Sequence, residues 1–150
     1  MNLPYIFKPL HEYDLIRLGK DNDGGYLIGL NTIQKTETLI SLGIYDEWSF
    51  EKDFQKLNHK AKIFLYDDIL SYNFLIKKFL SAKYIVNSIK SFINFFDYYF
   101  FVKKKLTKKK IKRNFLRKEI KKFEKNIFLK IDIEGSEYEV LNEIIFFKKK

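Results

Sequence analysis

Asp132 and Glu134 are the residues best placed in this sequence to do chemistry. They lie at the end of the strand read at Ile127-Phe128-Leu129-Lys130-Ile131-Asp132-Ile133, in the segment Asp132-Ile133-Glu134-Gly135-Ser136-Glu137. A carboxylate at the end of a strand, then a Gly, then a capped helix is a frequent build for a site at the edge of a parallel sheet. Two residues apart on an extended chain, the carboxylates face the same side. They could serve as general base, as orienter of a substituent, or as metal ligands. Glu137 and Glu139 are assigned to the helix start, where acids complement the macrodipole. Ser136 and Glu139 have the spacing of a capping box.

Two earlier strand ends carry marked residues. Thr38-Leu39-Ile40-Ser41-Leu42 reads as a strand closed by Gly43-Ile44-Tyr45-Asp46, with a helix beyond. Gly43 lets the backbone approach a ligand, and the helix start offers free N–H groups. Asp46 is the expected N-cap. Alone, the segment reads as an ordinary strand-to-helix turn. The second end is Asp67, after Lys62-Ile63-Phe64-Leu65-Tyr66 and 24 positions past Gly43. An acid about 20 positions beyond a glycine loop accepts hydrogen bonds from ribose hydroxyls in nucleotide-binding sheets. Asp68 points elsewhere on an extended chain. By itself Asp67 reads as a surface turn residue; taken with Gly43, a surface turn and a cofactor contact are equally good readings.

The elements that must hold these ends follow from periodicity. Asp14–Leu18 and Tyr26–Ile28 predict a small N-terminal hairpin around Asn22-Asp23-Gly24-Gly25, whose glycines supply positive φ. Trp48, Phe50, Phe54 and Leu57 predict one face of a helix. Residues 71–101 are expected to be helical, with a short strand near Tyr84-Ile85-Val86. A basic, helix-compatible insertion at 103–125 carries Leu106, Ile111, Phe115, Ile120 and Phe123 as its apolar stripe. Alternating strands and helices make an α/β chain with a parallel sheet, in a single domain spanning 1–150.

At 150 residues, 46% hydrophobic and 32% charged, the chain can bury a core and is not disordered. The absence of Cys excludes disulfides, thiolate metal sites and cysteine nucleophiles. His11 and His59 stand apart from any triad-like grouping, and no HExxH, Walker A or EF-hand spacing occurs, so no metal site is expected. The N-terminal stretch has no uninterrupted apolar core of a leader, and no run approaches the roughly 18 residues of a spanning helix. A cytoplasmic, membrane-peripheral location is the expectation.

The net charge of +10 is concentrated in one place. Residues 103–125 hold 13 basic and two acidic residues, net +11, against 16 basic and 17 acidic residues elsewhere. Of the 29 basic residues only Arg17, Arg113 and Arg117 are Arg. Base reading favours Arg, so nucleic acid is disfavoured as a partner. The apolar FINFFDYYFFV at 92–102 followed by Lys suits peripheral contact of 92–125 with an anionic membrane.

The segment FLKIDIEGSEYEVL (128–141) resembles the signature of FkbM-like S-adenosylmethionine-dependent methyltransferases. RLGKDNDGGYLI (17–28) and LISLGIYDEWSFE (39–51) match the same pattern, in the same order. The resemblance implies a Rossmann-like methyltransferase fold, with a mostly parallel sheet after the hairpin. It implies S-adenosylmethionine as cofactor and a glycan, polysaccharide precursor or small metabolite as acceptor, methylated at oxygen. By position it sets Gly43, Ile44 and Asp46 near the methionine part, Asp67 at the ribose, and Asp132 with Glu134 near the transferred methyl. Arg17, Asp23, Gly24, Gly25 and Tyr26 would line the site or hold the cofactor loop. Tyr45 stands where relatives often have a second Gly, which implies a less open loop. The resembling fold normally continues past Phe146-Phe147-Lys148-Lys149-Lys150, so an incomplete sheet and weak activity are expected. The alternative is a non-catalytic membrane-surface or nucleic-acid-binding protein using the Lys-rich segment.

Overall fold

The computed structural model describes residues 13–21, 24–81, 85–108, 120–123, 126–133, 135, 137–138 and 140–142. It opens with a hairpin: β1 (Leu15–Leu18) pairs antiparallel with β2 (Tyr26–Gly29), setting Leu18 opposite Tyr26. Gly19 and Gly24 both take positive φ at its turn. A Cβ on Gly25 would collide with the Lys20 carbonyl and the Arg17 guanidinium. The turn therefore needs its glycines.

The short helix α1 (Leu30–Lys35) follows, which the sequence did not announce. It buries only Ile33, too little to give a period. Its end is held by Asn58, whose Nδ2 donates to the Ile33 and Thr36 carbonyls at 2.7 and 2.8 Å.

The main sheet has four parallel strands in the order β5-β4-β3-β6. At its centre β3 (Thr38–Leu42) is buried at every position, as a strand covered on both faces must be. On one side lies β4 (Lys62–Asp67), with Leu42 opposite Tyr66; on the other lies β6 (Ile127–Ile131), with Leu42 opposite Ile131. This register brings the C-terminal ends of all three strands level. Between β3 and β4 runs α2 (Ser49–Leu57), and after β4 come α3 (Tyr72–Leu80) and α4 (Ile85–Asp97). A π-helical turn, Tyr98–Val102, leads to β5 (Leu106–Lys108).

Two cores flank the sheet. One joins the hairpin and helices through Leu18, Ile33, Phe50, Phe54, Leu65 and Val102. The thinner one gathers Ile40, Leu42, Tyr66 and Val140, with the rings of Phe64 and Phe123 tilted against each other at 4.4 Å.

Several expectations are corrected. Asp46 is not the N-cap of α2; Trp48 holds that position without a side-chain bond, and Glu47 Oε1 accepts the Ser49 N–H at 3.0 Å instead. Asp46 is drawn away by an ion pair with Lys78. Leu57 is exposed and Glu51 takes the buried place on α2, because a buried cation awaits it from β6. Ile85 and Val86 belong to α4 rather than to a strand. The next strand is Leu106–Lys108, inside the segment expected to be helical, because its backbone pairs with β4 and Leu106 packs on the core. β6 ends at Ile131, two residues short of the expected Ile133, and the expected same-face relation of Asp132 and Glu134 falls outside the described residues. Asp23, Glu134, Ser136, Glu139 and 109–119 lie outside the described residues.

Candidate active site at the switch in strand order

The chain builds β3, β4 and β5 outward in one direction, then returns to place β6 on the other side of β3. The strand order therefore switches between the ends of β3 and β6, where open parallel sheets open a crevice for ligands. Gly43 and Asp132 stand at those ends. The Asp132 N–H donates to the Leu42 carbonyl at 3.0 Å, and the Gly43 N–H to the Tyr66 carbonyl at 2.9 Å. Gly43 has φ +72, and a Cβ there would run into the Asp132 carbonyl. Only a glycine lets the two strand ends approach this closely.

The Asp132 carboxylate is exposed and accepts a hydrogen bond from the Tyr26 hydroxyl at 3.0 Å. The hairpin thus reaches the far strand of the sheet. The Tyr26 ring lies edge-on to Phe50 at 5.4 Å, with Lys130 Nζ 5.3 Å from each ring centre. Lys130 Nζ donates to Glu51 Oε1 at 2.9 Å, and the Ser41 hydroxyl donates to the same oxygen at 2.5 Å. Both ionic side chains are buried, at 7% and 0% exposure. β3, α2, β6 and the hairpin are therefore tied together directly beneath Asp132. Sequence reasoning missed Lys130, Glu51 and Ser41. The available signal was a Lys inside the apolar run of 127–131.

The loop after β3 is held by Asp67. Its Oδ2 accepts the Ile44 and Tyr45 N–H groups at 3.1 and 2.8 Å; its Oδ1 accepts those of Ile69 and Leu70 at 2.8 and 2.7 Å. The group is buried, at 7% exposure, and joins the two loops that leave β3 and β4. Tyr45 has φ +42, a left-handed backbone that a glycine takes freely and a Tyr does not. The Asp67 bond, Phe74 edge-on at 5.2 Å, and Lys78 above the ring hold it there.

The hairpin turn packs on the same loop. Lys20 pairs with Glu47, and Gly24 leaves no room for a Cβ against the Glu47 side chain. Arg17 Nη2 donates to the Lys20 and Asp21 carbonyls at 2.8 and 2.6 Å, fixing the turn. Asp53 on α2 accepts the Gly19 N–H at 3.0 Å. Its burial works to raise the carboxyl pKa, but the bonds from Lys56 and Gly19 and the charge of Lys52 outweigh this and lower it. After β6, the Glu137 carboxylate accepts the N–H groups of Gly135 and Ile133 at 2.7 and 3.1 Å. Its own backbone N–H and these two bonds keep it below the usual carboxylate range.

A cleft of about 280 Å³ opens on the outer side of the loop, lined by Lys20, Asp46, Glu47, Lys52, Asn94 and Asp97. Its charges are matched in pairs, Lys20 with Glu47 and Lys52 with Asp97. Asp132, exposed at the switch point, is not among the residues that line the cleft.

A parallel sheet with a tight glycine loop at its switch point is a Rossmann-like α/β fold, consistent with that of a methyltransferase. The family model described as the Methyltransferase FkbM domain matches residues 21–149, and the chain belongs to that family. It is a methyltransferase. No curated protein and no solved structure matches the chain.

Proposed function

We propose that the chain methylates a hydroxyl oxygen of a sugar, a polysaccharide precursor or a small metabolite, using S-adenosylmethionine, in the cytoplasm. The observation that carries this reading is the exposed Asp132 carboxylate at the switch point, hydrogen-bonded to Tyr26 and beside Gly43. The donor set suits a cationic, hydroxyl-rich cofactor, because Asp46 and Asp67 both border the loop after β3. Gly43, Ile44 and Asp46 would hold the amino-acid part and Asp67 the ribose diol. The Oδ2 of Asp67 already accepts two loop N–H groups, so holding a diol means exchanging these for the two hydroxyls. When bound, the cofactor supplies an electrophilic methyl group on sulfur.

The protein's contribution is then placement and proton handling. Asp132 accepts a hydrogen bond from the acceptor hydroxyl and aims its lone pair at the methyl carbon. The acceptor oxygen would take the methyl from sulfur, the electron pair of the C–S bond leaving with the neutral thioether. Asp132 would receive the hydroxyl proton and pass it to water. Tyr26 keeps that carboxylate in place. The test is transfer of labelled methyl from S-adenosylmethionine to panels of hydroxyl, amine and carboxyl acceptors. Label appearing in acid- and base-stable ethers supports the reading; label confined to amines or esters overturns it.

A further inference from the structure

α4 presents its sides in the reverse of the usual sense. Among its described residues, the polar Asn94 and Asp97 face the protein: Asn94 Nδ2 donates to the Asp46 carbonyl at 3.4 Å, and Asp97 pairs with Lys52 at 2.6 Å. Tyr98 and Val102, one turn on, are buried in the core. The outer side carries Ile89, Phe92, Ile93, Phe96, Tyr99 and Phe100, each between 47 and 69% exposed. A surface helix of a globular protein normally shows the opposite arrangement, and so large a contiguous apolar stripe marks an interaction surface. The stripe is also internally ordered. Phe92 meets Phe96 at 4.9 Å, Phe96 stacks on Phe100 at 6.4 Å, and Tyr99 meets Phe100 at 5.5 Å.

Positive charge continues the stripe. Lys103 and Lys104 are exposed, and Lys103 Nζ lies 4.7 Å from the Tyr99 ring centre. They open the segment 103–125 with its net charge of +11. We propose that this face docks in the plane of an anionic lipid bilayer, with the six side chains at the boundary of headgroups and acyl chains. Lys103 and Lys104 would then lie among the lipid phosphates. A second copy of the chain is a poorer occupant, since pairing two such faces sets one +11 segment against another. A nucleic acid would satisfy the charge but leaves Ile89 and Ile93, which have no π face for a base, without a partner. The helix is 13 residues long, enough to lie on a bilayer and too short to cross it. Because its inner side touches Asp46, docking holds the loop after β3 close to the membrane surface.

The test is flotation of the full chain with vesicles of phosphatidylcholine alone, or with about 30 mol% phosphatidylglycerol. The expected result is binding to the anionic vesicles at least about tenfold stronger than to neutral ones, weakening with salt. Phe96→Ser with Phe100→Ser, and separately Lys103→Gln with Lys104→Gln, should each reduce it by about tenfold or more while the circular dichroism spectrum is unchanged. As an independent reading, Phe100→Trp should add a fluorescence component that shifts to the blue on anionic vesicles. No binding to anionic vesicles, or binding indifferent to the aromatic pair, overturns the proposal. So does a dimer, or a complex with an oligonucleotide, that the aromatic pair abolishes while vesicle binding is absent.

Discussion

The Tyr26 hydroxyl donates to Asp132 Oδ2 at 3.0 Å across 106 positions of sequence, joining the N-terminal hairpin to the last strand of the sheet. That bond makes the hairpin part of the site rather than an appendage. Tyr26→Phe removes it and keeps the ring against Phe50 and Lys130. At an exposed position the cost in stability should be below about 1.5 kcal/mol, near the net worth of one hydrogen bond. Turnover should fall by roughly tenfold, as positioning effects of this kind do. A denaturation midpoint and a methyl-transfer rate, measured together, check both halves.

The buried pair of Lys130 and Glu51 should respond asymmetrically to substitution. Lys130→Met leaves the Glu51 carboxylate buried without its counter-charge, and should cost about 3–5 kcal/mol. Adding Glu51→Leu to the same chain should recover most of that loss, because the uncompensated charge is then gone. Urea denaturation of the single and double variants gives the comparison. A double variant no more stable than Lys130→Met would show that the hydrogen bond from Ser41 to Glu51, and not the uncompensated charge, decides the stability of this region.

Asp67→Asn tests the joint between the two loops. The amide keeps one acceptor oxygen and loses the other, so either Ile44 and Tyr45 or Ile69 and Leu70 are left without an acceptor. Faster hydrogen exchange at one of these pairs of amides is expected, with a loss on the order of 2 kcal/mol for a bond to a buried charged group. The strained Tyr45 should be released with its amide, and the contact of its ring with Phe74 with it.

Acid should loosen the hairpin through Asp53. Its carboxyl pKa is lowered in the folded chain, by Lys56, Gly19 and Lys52 acting against burial. A depressed folded pKa contributes stability above the unfolded value, about 3.9, and that contribution is lost as pH falls through the folded value. Wild type should therefore have a higher melting temperature than Asp53→Asn at pH 6, with the gap closing as pH falls below the unfolded value. Melting curves across that range read it directly.

Most of the sheet was legible because its strands are buried on both faces and so are written as continuous apolar runs bounded by Gly or Asp. Thr38–Leu42 and Lys62–Asp67 are of this kind. Leu106–Lys108 was not legible: three residues in a Lys-rich stretch carry no period, and only pairing with β4 makes them a strand. The strand ends at Gly43, Asp67 and Asp132 were found from their types. What those residues touch was not, because Tyr26 reaching Asp132 and Asp67 clasping two loops depend on a register and a loop path that no local spacing records. Asn94 and Asp97 read as interruptions of an apolar run; in the fold they are the side of α4 that faces the protein.

The central claim is that Asp132, at the switch between β3 and β6, handles the acceptor's proton in methyl transfer. Asp132→Asn keeps the size and a hydrogen-bonding oxygen but removes the charge. Single-turnover transfer of labelled methyl should slow by at least about 100-fold, the lower end of what a general base supplies. Calorimetry on the same preparation should show S-adenosylmethionine binding within about twofold of wild type, since the group acts on the acceptor and not on the cofactor. A variant that transfers methyl at the wild-type rate would contradict the account.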